Sequence, residues 1–145
     1  MLSGRLVAEG LLDTNVFIHA HARDQWGDEC RRFLFALERG DVHARLEALI
    51  LHELSYALPH YIKQMTRDRM AEYLLMVLSW KGVRGEKGLM AEAVQRWQDH
   101  PGLAFVDAYL AALARTLDCP VYTKNVRELE AQGALVPQPL PWEAV

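Results

Sequence analysis

Cysteine is scarce in this chain of 145 residues: Cys30 and Cys119 are the only two, far apart and in no CxxC pair. A reducing intracellular compartment is the simpler reading of such sparse thiols, with a disulfide left open, and the chain is expected in the cytoplasm. Serine is almost as rare. Ser3, Ser55 and Ser79 are the only ones and none lies in GxSxG, which removes the nucleophile turn of the serine hydrolases. Long apolar runs are missing: LLMVLSW at Leu74 to Trp80 is too short to span a bilayer, and Glu9 interrupts MLSGRLVAEGLL before it forms the apolar core of a signal peptide. No membrane partner is expected. A large excess of charge of one sign is missing as well, and a net charge of −3 argues against a chain that coats nucleic acid nonspecifically. It leaves room for a local basic groove or a metal-bridged phosphate contact.

What is present is ordinary globular composition, 51% hydrophobic and 24% charged, at a length that buries a core without staples. One domain over residues 1–145 is expected, with residues 1–8 as an N-terminal extension and residues 137–145 as a Pro-rich tail, extended and docked by Trp142. Leu11 and Leu12 predict a short buried strand, Asn15 a cap for the helix after it, and Gly40 the stop of a helix over 28–39. A brief strand near Val42 leads into a helix over 45–62. Further helices are expected over 66–80, 86–99 and about 103–117, separated by turns at Gly82, Gly85 and Gly88 and by the break at Pro101 and Gly102. Pro120 to Thr123 reads as a strand, Val126 opens a short helix, and a last strand falls near Leu135. Strands alternating with helices imply an α/β fold: a central parallel sheet of four to five strands flanked by helices on both faces.

GLLDTNVFIH, residues 10–19, ends an apolar run on an aspartate. Asp13 so placed stands at the carboxyl end of a strand, the edge where open α/β sheets carry their sites. Two more acids sit in apolar stripes. In LEALILHELSYAL, Glu53 follows Leu46, Leu49 and Ile50 by seven, four and three residues, which turns it inward on a helix. In LAFVDAYLAALA, Asp107 aligns with Leu103, Leu110, Ala111 and Ala114 and is turned inward too. One such acid is ordinarily explained by an Arg partner or by snorkelling at a helix edge. Three together are costly to desolvate unless something cationic compensates them, and convergence on one divalent cation does so. Oxygen-only ligands favour a hard ion, Mg²⁺ or Mn²⁺, that keeps several waters and binds phosphate.

These segments resemble the PIN-domain ribonucleases, and within them the VapC-type toxins of bacterial toxin–antitoxin pairs. LLDTNVFIHA is similar to the family's opening strand and first acid, HELSYAL to its helical glutamate, FVDAYLAALA to its second aspartate helix, and VYTKNVREL to its closing strand and turn. Their order makes the resemblance specific. It implies Asp13, Glu53 and Asp107 as metal-binding acids and Thr123 and Asn125 as the fourth motif, with Asn125 among the catalytic residues and Thr14, Asn15 and Thr123 orienting the substrate. Many relatives carry aspartate where Asn125 stands. Others carry asparagine followed three residues later by an acid, the place of Glu128, so either Asn125 or Glu128 completes the site. The resemblance further implies Mg²⁺- or Mn²⁺-dependent hydrolysis of RNA phosphodiesters to a 5′-phosphate and a 3′-hydroxyl, a homodimer, and a cognate antitoxin protein that silences it. A noncatalytic RNA- or protein-binding module of the same fold, with a ligand lost at Asn125, is the alternative.

Other patterns end early. A haloacid-dehalogenase-like phosphatase needs a second aspartate two residues after Asp13, where Asn15 stands. His52 and Glu53 begin a HExxH zinc pattern that Tyr56 ends. His19 and His21 point apart on a helix and read as surface or satisfied residues, and GVRGEKG, lacking GK[ST], reads as a plain turn. Arg31, Arg32, Lys63, Arg67, Arg69, Lys81, Arg84 and Lys87 are candidates for an RNA path, most of them merely solvated. CRRFLFAL, with Phe33 and Phe35, is expected to be core, part of it open to an antitoxin helix or a second subunit.

Overall fold

Short parallel strands organise the first part of the chain in the computed structural model, which describes residues 9–142. The extension expected over residues 1–8 and residues 143–145 of the tail lie outside the described residues. By its internal packing the chain divides into two compact units, residues 1–87 and 88–145.

In the first unit β1 (Gly10–Leu11), β2 (Ala44–Arg45) and β3 (Val83–Arg84) pair in parallel in the order β1-β2-β3, with Gly10 beside Ala44 and Ala44 beside Val83. The hydrogen bonding runs past the strands: the Leu12 N–H donates to the Arg45 carbonyl and the Leu46 N–H to the Arg84 carbonyl, each at 2.9 Å. Three strands therefore stand, among the described residues, where four to five were expected. GVRGEKG is not a plain turn but contributes β3, because Val83 is β-branched and fully buried. No strand forms at Pro120 to Thr123 or at Leu135 among the described residues. The Val121 N–H does donate to the Leu135 carbonyl at 2.9 Å, but in a parallel ladder the return bond to the Val121 carbonyl comes from residue 137, and Pro137 has no N–H to give.

The same unit holds α1 (Thr14–His21), α2 (Gly27–Arg39), α3 (Ala48–Ala57) and α4 (Arg67–Ser79), with α1 packed on α2 and α3, and α3 on α4. Gly40 ends α2 at a φ of +83°, a left-handed conformation that needs no Cβ, and Thr66 caps α4 by accepting from the Arg69 N–H at 3.2 Å. The helix expected over 45–62 is shorter. Arg45 belongs to β2, extended Glu47 starts α3, and Pro59 turns its end into a 3₁₀ turn, Leu58–His60, since a proline ring crowds the carbonyl four residues back. Phe17, Leu37, Leu46, Leu51, Leu54, Leu58, Met70 and Leu74 form the fully buried interior. Leu12 joins them, but Leu11 is 77% exposed, because neighbours in a strand face opposite ways. Phe33 and Phe35 are exposed rather than core: α2 buries Leu34 and Leu37, three residues apart on one face, and the phenylalanines flank that face.

His21, at the end of α1, meets Tyr73 of α4 with Nε2 3.0 Å from the phenol oxygen and the rings edge to face at 5.5 Å. Burial pushes the Tyr73 hydroxyl up, so it stays a donor and Nε2 an acceptor. Burial first, and the Arg31 charge second, hold the His21 pKa below its ordinary 6.5. The unfolded chain then takes the proton before the folded one, so stability present above about pH 6.5 is lost as pH falls below it. Between about pH 7.5 and 5.5 the urea midpoint of the wild type is expected to fall more than that of His21→Asn. Equal falls would remove His21 from the pH response.

The second unit is helical: α5 (Lys87–Asp99), α6 (Phe105–Leu117) and α7 (Val126–Ala131). Ala111 and Ala114 of α6 cluster with Val121, Leu129 and Val136, and Trp97 meets Phe105 edge to face at 5.5 Å. Glu92 is gripped by both Arg96 and Arg115, and the Arg115 hydrogen bond is the main reason its carboxyl sits below the usual range. Trp142 does not dock the tail: it is 81% exposed. No helix among the described residues is long and apolar enough to cross a membrane.

Candidate functional site

Asp13 is the first residue beyond the hydrogen bonding of β1, at the carboxyl edge of the sheet. Its backbone is extended (φ −107°, ψ 153°), its Oδ1 accepts from the Thr14 N–H at 2.9 Å, and its carbonyl accepts from the Val16 N–H at 3.3 Å. Asp13 itself therefore caps α1, and Asn15, expected in that role, lies exposed inside the helix. Aspartate is among the best capping residues and its charge suits a helix N-terminus, so the sequence did carry this signal, two residues earlier than it was read. Asp13 is also exposed, so burial imposes no cost on it. Next to it, Thr14 is 3% exposed and its Oγ1 is buried without a hydrogen-bond partner among the described residues. A hydroxyl left so is destabilising unless a water or ligand oxygen meets it.

Glu53 on α3 is half-buried. The buried face of α3 is centred on Leu51, Leu54 and Leu58, whereas Leu49, expected in the stripe, is 76% exposed. Glu53 accordingly stands on the flank of the apolar face and not within it.

In the second unit Asp107 lies in the first turn of α6 and is 9% exposed, turned inward as its spacing predicts. Its Oδ2 accepts from the Asn125 side-chain amide at 3.3 Å, and the Asn125 backbone N–H donates to Thr123 Oγ1 at 2.9 Å. Asp107, Asn125 and Thr123 are thus brought together. Glu128 is exposed in the first turn of α7 and makes no hydrogen bond or ion pair among the described residues. Nothing in the sequence announced the bond between Asp107 and Asn125, which joins separate elements 18 positions apart.

Other acids have cations. Asp24 pairs with His19 at 2.6 Å, and that hydrogen bond holds its carboxyl below the ordinary range; Asp28 pairs with Arg31 at 2.5 Å. Asp13, Glu53 and Asp107 have none among the described residues. Of the RNA-path candidates, Arg31 also donates to the Ala20 carbonyl at 2.8 Å, Lys87 to the Trp80 carbonyl at 3.0 Å, and Arg84 lies 3.8 Å from Glu9. His19 and His21 are satisfied, as expected.

Among the described residues no group of three or more His, Cys, Asp or Glu side chains stands ready to hold a metal ion. Mg²⁺ does not demand one, since one or two carboxylates with waters complete its shell. The donors fit a hard cation: carboxylates without ion pairs and, beside Asp13, an orphaned buried hydroxyl. Compared with known families, the chain matches the PIN domain over residues 10–132. No curated protein and no solved structure matches it.

Proposed function

The chain belongs to the PIN domain family, and from that premise we propose that it is a metal-dependent endoribonuclease, the toxin of a toxin–antitoxin pair acting in the cytoplasm. Members of the family are typically metal-dependent nucleases. The observation that carries the reading is Asp107: a carboxylate 9% exposed, with one amide at 3.3 Å and no ion pair among the described residues. A carboxylate so enclosed, with no counter-ion beside it, is a natural oxygen ligand for a hard cation.

Asp13, Glu53 and Asp107 are the proposed metal-binding acids, with Asn125 or Glu128 completing them and Mg²⁺ or Mn²⁺ as the cation. When bound, that cation supplies Lewis-acid activation of water and neutralises charge on the phosphodiester. The chain's own share is positional. The cap bond to the Thr14 N–H fixes the Asp13 carboxylate, the exposed Asn15 amide is available to orient water or phosphate oxygens, the buried Thr14 hydroxyl backs the Asp13 turn from within, and Thr123 fixes the loop that presents Asn125. The proposed partners are RNA, a cognate antitoxin and a second copy of the chain.

The purified protein is expected to cleave RNA in Mn²⁺ or Mg²⁺, to stop in EDTA, to leave 5′-phosphate ends, and to run as a dimer in light scattering. A second reading, a noncatalytic binding module, draws on the missing fourth acid at Asn125. Intact RNA in both ions, from folded protein, would establish it instead.

A further inference from the structure

We propose that Asn125 is a positioning residue whose side-chain amide clasps one oxygen of Asp107 in place of a fourth metal-binding acid. This rests on the nuclease reading above and deepens it. An ionised carboxylate only accepts hydrogen bonds, so at 3.3 Å from Asp107 Oδ2 the Asn125 side chain must present its NH₂ and turn its own oxygen away. The bond engages Oδ2, and among the described residues Oδ1 carries no hydrogen bond.

The clasp is built at a cost to α7. Asparagine is a preferred cap, and Asn125 occupies the cap position of α7, yet its side chain makes no capping bond and its backbone (φ −83°, ψ 57°) is not the extended form typical of caps. Its amide is directed to Asp107 instead. Two bonds steady the loop that does this: the Asn125 N–H donates to Thr123 Oγ1 at 2.9 Å, and the Asn125 carbonyl accepts from the Leu129 N–H at 3.2 Å. Leu129 is fully buried in the cluster with Ala111 and Ala114, which ties α7 to the helix that carries Asp107. Glu128 has no comparable anchorage: it is exposed and unpaired among the described residues. An aspartate at 125 would set two carboxylates at hydrogen-bond distance with no cation between them, a repulsion that the neutral amide avoids. The geometry at Asp107 is therefore held by the chain alone.

The test compares wild type, Asn125→Ala, Asn125→Asp and Glu128→Ala by melting in EDTA and in Mn²⁺, by Mn²⁺ calorimetry and by cleavage kinetics. Asn125 is exposed, so removing its amide opens no cavity. Asn125→Ala is expected to weaken Mn²⁺ binding by about 10- to 100-fold, as loss of a group that orients a ligand does, and to lower kcat with little change in KM. Asn125→Asp is expected to melt below wild type in EDTA and to gain more from Mn²⁺ than wild type gains. Unchanged Mn²⁺ affinity in Asn125→Ala, or a larger loss of affinity in Glu128→Ala, would overturn the proposal. If the wild type neither binds Mn²⁺ nor cuts RNA, the nuclease reading fails separately. The clasp is then judged by the EDTA melts alone, where Asn125→Asp melting with the wild type rejects it.

Discussion

Asp13→Asn is expected to lower RNA cleavage on the order of a thousandfold or more, the scale of losing a group that acts directly on developing charge, while leaving the fold in place. The structure separates the two roles of this side chain. Its Oδ1 accepts from the Thr14 N–H at 2.9 Å, and an asparagine oxygen accepts the same bond as well as a carboxylate does. What asparagine lacks is the charge. Its loss removes an attraction to the helix N-terminus of roughly 0.3–1 kcal/mol, small beside the effect on a cation or on reacting phosphate. Asp13→Ala is the companion variant: it should be equally inactive but less stable, because the cap is gone as well, at about 1 kcal/mol. Initial cleavage rates and urea midpoints measured together give the comparison. An Asp13→Asn protein that cuts RNA at the wild-type rate would leave Asp13 a cap and nothing more.

Gly82→Ala is expected to destabilise the protein by about 3 kcal/mol or more, enough to remove most of the margin of a typical domain. Gly82 is buried where the chain enters β3. A Cβ there would stand 2.2 Å from the Val42 carbonyl oxygen, 2.6 Å from the Leu37 carbonyl oxygen and 3.0 Å from the Leu37 Cα. All three are backbone atoms, with no flexible end to swing aside. Nor is the strand free to retreat, since the Gly82 N–H donates to the Leu37 carbonyl at 2.7 Å and its carbonyl accepts from the Ala44 N–H at 2.9 Å. Gly88→Ala is the control: nothing lies within 4 Å of its Cβ position and it sits in α5, so alanine should match or exceed wild-type stability there. Urea titration of both variants measures the difference, and equal midpoints would mean that the approach of β3 to α2 relaxes freely.

The helices were legible because their signals are local. Gly40 and Thr66 mark a stop and a start through their own backbone and hydroxyl, and the spacing around Asp107 turned it inward as found. The strands were not. Two residues cannot display alternation, and Arg45 joins β2 rather than α3 because Leu11 and Arg84, both far from it along the chain, lie beside it. At the site, the stripe around Glu53 was misread through Leu49, whose exposure no single periodicity excludes when the helix begins three residues later than expected. Capping by Asp13 was within the sequence's reach, since aspartate is a preferred cap, but the amide held against Asp107 depends on side-chain geometry that composition and spacing do not encode.

The brevity of the strands also bears on how copies of this protein meet other chains. A sheet invites a foreign strand in proportion to the unpaired peptide groups along its edges. Among the described residues the outer strands of the three-stranded sheet, β1 and β3, are two residues long, and β3 carries a charged arginine, Arg84, in half of that length. An incoming strand would find scarcely one repeat of hydrogen bonding before the template ran out. So short an edge is a poor template for edge-to-edge stacking of overproduced chains.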